Sequence, residues 1–290
     1  LALMTLGAGL SHTERWENSA LSAGVDYTNL GPYTHLVPQN IDWEDPVTAQ
    51  GAQVGFRQKM SNGALLKAQA NAQWSGFSMG YPLPDNPQEQ SLLSLQNDNY
   101  YGSATYHQLI DEKWQLDAGL AAGYDTEQID QNFTVDRTNA MVQGRAVAIR
   151  YFENDWALKL GSEWIHSSFD EHYQEAETEI QSAFQEDYVS AFAETEGYLG
   201  EKVALRAGLR AERYTLLNAN RISPRLSLAY KAGQGGQFAL AYGHFYQSPQ
   251  QEWLRYTQDL NPERADHYLL NYQYRMGGRT IRAELYHKEY

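Results

Sequence analysis

Ile222-Ser223-Pro224-Arg225-Leu226-Ser227-Leu228-Ala229-Tyr230-Lys231 is the stretch that decides the fold. Ile222, Pro224, Leu226, Leu228 and Tyr230 alternate with Ser223, Arg225, Ser227, Ala229 and Lys231. The turn Ala232-Gly233-Gln234-Gly235-Gly236 follows, and then Phe238, Leu240 and Tyr242 alternate with Ala239, Ala241 and Gly243. A period of two puts every second side chain on one face of a strand. Two such strands across a glycine turn make a hairpin. A longer polar, aromatic-rich segment comes next. Long strands whose turns differ in length at their two ends are the pattern of an outer-membrane β-barrel.

The pattern recurs along the chain. Candidate strands run near 1–11, 18–29, 48–60, 64–77, 99–110, 114–127, 138–151, 155–169, 184–198, 201–216, 222–232, 236–247, 264–276 and 278–290. That is about fourteen, with ends uncertain by roughly 2–4 residues. Short connections carry hairpin signals at Ser61-Asn62-Gly63, Asp111-Glu112-Lys113, Glu153-Asn154-Asp155, Leu199-Gly200, Gln234-Gly235-Gly236 and Gly277-Gly278. They alternate with longer ones at 30–47, 78–98, 128–137, 170–183, 217–221 and 248–263. In bacterial barrels short turns face the periplasm and long loops face outside.

The faces differ in chemistry. Trp156, Leu158, Leu160 and Trp164 oppose Lys159, Gly161 and Glu163. Leu66, Ala68, Ala70, Ala72 and Trp74 oppose Lys67, Gln69, Asn71 and Gln73, and Val203, Leu205, Ala207 and Leu209 oppose Arg206, Arg210 and Glu212. A hydrated lumen tolerates the charged face, whereas Arg206 or Arg210 turned toward lipid costs about 2–4 kcal/mol near the midplane. A half-buried soluble sheet gives the same alternation. These strands exceed the usual five or six residues, however, and no helix pattern is available to cover their apolar sides.

Composition agrees. The chain has 290 residues, 21 Tyr, 7 Trp, no Cys and a formal net charge of −14. Tyr and Trp are the residues of interfacial girdles. Without cysteine there is no disulfide framework and no thiolate metal site. The acidic balance argues against nucleic acid as a partner, since phosphate binding needs clustered Lys and Arg. No apolar run is long enough for a transmembrane helix, as expected where only alternate residues meet lipid.

Residues 221–230, then Phe238-Ala239-Leu240-Ala241-Tyr242-Gly243-His244-Phe245-Tyr246-Gln247-Ser248-Pro249, then Leu260-Asn261-Pro262-Glu263-Arg264-Ala265-Asp266-His267-Tyr268, resemble TonB-dependent outer-membrane receptors. Asn29 to Tyr33 and Val37 to Trp43 resemble members from Bacteroidota. The resemblance implies an antiparallel transmembrane barrel of 22 strands with an N-terminal plug. On that reading the chain is the barrel portion only: one domain, 1–290, an internal fragment with about 14 of the strands and no plug. The resemblance also implies import of a ferric siderophore, cobalamin, glycan or peptide, driven by the TonB–ExbB–ExbD system through the missing plug segment, with outer-membrane lipid around the barrel and a surface lipoprotein as a further partner. The runner-up is a passive porin-like channel of about fourteen strands. An outer-membrane enzyme or adhesin is the third reading, and no nucleophile elbow or phosphate-cradling glycine loop supports it.

Site expectations follow from residue type. Lys67, Lys159, Glu163, Arg206, Arg210 and Arg225 are candidates to line the passage. Tyr81, Trp253, Arg255 and Tyr256, on long loops, suit ligand recognition, although interfacial anchoring or loop packing also explains such aromatics. No catalytic set, cofactor or metal site is expected. The acidic stretch Asp170 to Glu179 lacks a calcium-loop signature, its flanking His166 and His172 form no zinc motif, and it reads as a solvated loop.

Overall fold

The computed structural model describes residues 5–37, 41–83 and 88–290. It is almost entirely strand: β1 (Leu6–Arg15), β2 (Ser19–Asn29), β3 (Asp42–Lys59), β4 (Leu65–Pro82), β5 (Gln90–Leu109), β6 (Trp114–Asp130), β7 (Thr134–Tyr151), β8 (Ala157–Glu175), β9 (Thr178–Leu199), β10 (Val203–Tyr214), β11 (Ala219–Ala232), β12 (Gly236–Gln247), β13 (Glu263–Met276) and β14 (Arg279–Glu289). The short helices α1 (Gly31–Leu36) and α2 (Gln251–Leu254) sit in two of the connections. All fourteen strands join one sheet in chain order, and β1 and β14 each pair on one side only. The fourteen-strand expectation therefore holds. Its first strand is displaced from 1–11 to Leu6–Arg15, and residues 1–4 lie outside the described part. No described helix is long and apolar enough to cross a membrane, which says nothing about strands.

Two compact units divide the sheet. The first holds residues 1–106, 119–143 and 166–185; the second holds 107–118, 144–165 and 186–290. β5 to β9 contribute to both.

In the second unit the deciding hairpin forms as expected. Leu228 of β11 lies opposite Leu240 of β12, and the same cross-strand row continues through Leu205 of β10, Leu270 of β13 and Leu285 of β14. On one side runs the row Val203, Tyr230, Phe238, Tyr272 and Ala283; on the other, Ala207, Leu226, Tyr242, Tyr268 and His287. This leucine band is exposed: Leu240 keeps 52% of its surface and Leu285 72%. The β13–β14 hairpin closes through Gly277 and Gly278, both at positive φ (56° and 77°), as a tight two-residue turn between right-twisted strands requires.

In the first unit the apolar face carries Leu10, Val25, Val54, Ala70 and Ala72 and ends in an aromatic group. Trp74 Nε1 donates to Tyr100 OH at 3.0 Å, and the Tyr100 and Tyr124 rings lie 6.4 Å apart. From Leu66 to Trp74 is eight residues, about 26 Å along a strand. At a barrel tilt near 40° that is about 20 Å of height, close to the apolar band of an outer membrane.

Two expected long loops are absent. β8 runs to Glu175 and β9 starts at Thr178, so 170–183 is a hairpin with its turn at Ala176 and Glu177. β6 and β7 leave only residues 131–133 between them. Aromatic stacking supports the extended strands: Phe169 of β8 stacks on Phe184 of β9 at 4.9 Å, and Phe133 of the β6–β7 turn on Tyr173 of β8 at 5.6 Å. The polar composition of these stretches belongs to protruding strand, which still alternates.

Candidate functional site

The polar face of the second unit carries two charge clusters. Register places Glu196, Glu194, Phe192 and Ser190 of β9 beside Arg206, Gly208, Arg210 and Glu212 of β10, with Ser227, Arg225, Ser223 and Arg221 of β11 on their other side. Lys159 Nζ lies 3.4 Å from Glu194 Oε1 and 3.2 Å from Glu196 Oε2. Arg206 Nη2 reaches Glu196 Oε2 at 2.6 Å. Arg210 donates to Glu163 and to Tyr188 OH, and Tyr188 OH donates to Glu212 Oε1 at 2.8 Å. Ser223 Oγ donates to the other Glu212 oxygen. Glu212 keeps only 6% of its surface. A carboxylate that buried is tolerable only when hydrogen-bonded and paired, and each link polarises the next.

Aromatic rings brace the cations. Phe192 has the Arg210 guanidinium on its ring at 5.6 Å and that of Arg145 at 5.7 Å. The ring lies over Gly161, where a methyl group would overlap it. Gly161 is thus glycine for space. Arg225 stacks over Phe245 at 4.6 Å.

The first unit's polar face is arranged differently. Toward the ends of β6, β7 and β8, Arg137 bridges Glu127 and Glu171, each at 2.7 Å. Asn97 and Asn99 donate to Asp125. Lys67 lies directly opposite Arg57, a cation facing a cation.

The structure thus brings Lys159 and Arg206 together through Glu194 and Glu196, joins Glu163 and Arg210 in a second cluster on the same face, places Arg225 on that face outside both, and puts Lys67 in the other unit. The sequence marks the cations and Glu163 and sets Glu212 on their face, but Tyr188, Phe192, Glu194 and Glu196 are not among its candidates. The period-two pattern of β9 carried that signal, since residues 188 to 196 in steps of two share a face. The sequence expectation of strand over 184–198 already contains that face.

The aromatic candidates separate. Trp253 lies in α2, with Arg255 and Tyr256 just after it. Leu254 is buried and anchors the turn, leaving Trp253 60% and Tyr256 75% exposed. The Arg255 guanidinium lies 4.9 Å over the Tyr256 ring. Ser248, at the base of this connection, hydrogen-bonds both Glu186 carboxylate oxygens at 2.8 and 2.7 Å. Tyr81 is no loop residue: it belongs to β4, and its hydroxyl accepts from Gln131. Strand pairing persists that far because β3 and β4 re-register through irregularities near Trp43 and Asp45. Pro84, from the same expected loop, lies outside the described residues. In the acidic stretch Glu171 is tied to Arg137, and His172 lies 3.6 Å from Glu179, so these are hairpin arms and not a solvated loop.

Residues 5–290 match the family model described as TonB dependent receptor-like, beta-barrel. The chain belongs to this family. Solved structures agree in fold. The TonB-dependent receptor barrel superposes with TM-score 0.73 on FpvA of Pseudomonas aeruginosa, solved with heterologous pyoverdines, at 12% identity over 98% of this chain and 47% of that one. The outer membrane transporter YddB of Escherichia coli gives 0.69 at 13% identity, over 97% and 46%. The RagAB peptide transporter gives 0.69 at 8% identity, over 98% and 44%. The chain therefore spans about half the length of these relatives. No curated protein matches it.

Proposed function

We propose that this chain is one barrel domain of an outer-membrane transport receptor, one that binds a scarce extracellular solute and imports it with energy supplied through TonB. The observation that carries this reading is the inversion of its faces. Leu240 and Leu285 are exposed while Glu171, Glu186 and Glu212 are buried. Water would penalise that arrangement, whereas lipid outside and a hydrated, charge-lined interior favour it. On this reading outer-membrane lipid of a Gram-negative cell, Bacteroidota by the likeness of 29–43, covers the leucine band. Lys67, Lys159, Glu163, Arg206, Arg210 and Arg225 line the passage. Trp253, Arg255 and Tyr256 present a rigid aromatic and cationic surface to the solute, while Tyr81 braces a strand end.

The mechanism is binding and gated passage, with no covalent chemistry. TonB–ExbB–ExbD would act through receptor segments other than the barrel wall. FpvA was solved with pyoverdines and RagAB is a peptide transporter, and the solute here belongs to that range. The RagAB likeness supports a surface lipoprotein partner. The test is uptake by cells carrying the receptor, with and without TonB. Uptake of a ferric siderophore, cobalamin, glycan or peptide that stops without TonB supports the reading; flux indifferent to TonB would make the protein a passive channel.

A further inference from the structure

We propose that the polar face of the first unit holds an oxyanion site, for a carboxylate or phosphate, built on Arg15, Arg57, Lys59 and Lys67. The register makes it. Arg15 of β1 pairs with Ala20 of β2, Ala20 with Arg57 of β3, and Arg57 with Lys67 of β4, so three cations stand in one cross-strand row. Like charges directly opposite one another destabilise a sheet. In the second unit Lys159, Arg206 and Arg210 each meet a carboxylate. Arg15, Arg57 and Lys67 meet none among the described residues, in a chain with 36 acidic and only 22 basic side chains.

The next row, Thr13, Ser22, Gly55 and Gln69, supplies hydroxyls and an amide. Ala20 and Gly55 leave the middle of both rows hollow. The result is a cavity of about 650 Å³ lined by all four cations, with Glu17 as its one acid. Convergent Arg and Lys donors around a recess suit an anion of several oxygens, which a guanidinium holds through two parallel bonds. Such an anion would screen the repulsion between Arg57 and Lys67. The site does not depend on coupling to TonB.

The test uses the complete receptor, purified in detergent at low ionic strength, with inorganic phosphate and citrate as separate probes and chloride as the control. Calorimetry should show saturable binding of one or both oxyanions. Affinity should drop by on the order of tenfold or more in Arg57→Gln and in Lys67→Gln, as expected for losing a charge-assisted bond. Without anion, Arg57→Gln should melt no lower than the parent, since it relieves repulsion. Binding unchanged in both variants, binding matched by chloride at equal ionic strength, or no binding of either probe would overturn the proposal. So would a lower melting temperature of Arg57→Gln without anion, which would mean that Arg57 is already neutralised.

Discussion

At the scale of single residues, Arg210 is the hub of the second unit's polar face. It pairs with Glu163 and, through Nε at 3.3 Å, with Glu212, and it also donates to Tyr188 OH. Removing one partner from a buried ion pair costs about 3–5 kcal/mol, because the other charge stays behind. Arg210→Met should therefore lower unfolding free energy in urea by about that much, and Arg210→Met with Glu163→Gln should cost clearly less than the two changes summed. Gly161 answers to the Phe192 ring. Gly161→Val should destabilise by about 1–3 kcal/mol through overpacking, and the same change beside Phe192→Ala should cost much less. The first of these sites was half legible from sequence. Charge at alternate positions marked Arg206, Arg210 and Glu163, but which carboxylate answers which cation depends on register between strands far apart in the chain.

At the scale of elements, the hairpins were legible and their outer reach was not. Glycine turns at Gly233 to Gly236 and at Gly277-Gly278 are local signals, and strands form where they point. The β8–β9 arms carry Asp170, Glu171, Glu175 and Glu179, a composition that reads as loop. Their strand state rests on the Phe169–Phe184 stack and the Arg137 bridge, contacts with no local sequence signature. Arg137→Ala should speed amide exchange in the distal arms of β8 and β9 while leaving the leucine band protected. Ala176 closes this hairpin at φ 50°, which costs a residue with a Cβ about 1–2 kcal/mol. Ala176→Gly should slow exchange in the same arms, and faster exchange would contradict the turn geometry.

In the whole molecule, on the proposed reading, one face of every strand meets lipid and the other meets water. The alternation that announced the fold also predicts this, and the leucine row across β10 to β14 gives it a depth. Leu240→Arg should cost about 2–4 kcal/mol if that row lies near the midplane, and Asn271→Arg, on the polar face opposite Glu284, well under 1 kcal/mol. Substrate identity was not legible because, on the proposed reading, it resides in how exposed groups such as Trp253 and Tyr256 are combined, and no spacing rule governs that. The most direct measurement is spin-label accessibility along β12 in the complete receptor folded in lipid bilayers, with labels placed singly from Phe238 to Tyr242. Labels at 238, 240 and 242 should favour oxygen dissolved in the bilayer, and labels at 239 and 241 a water-soluble nickel complex. Uniform accessibility, or the opposite alternation, would contradict the account.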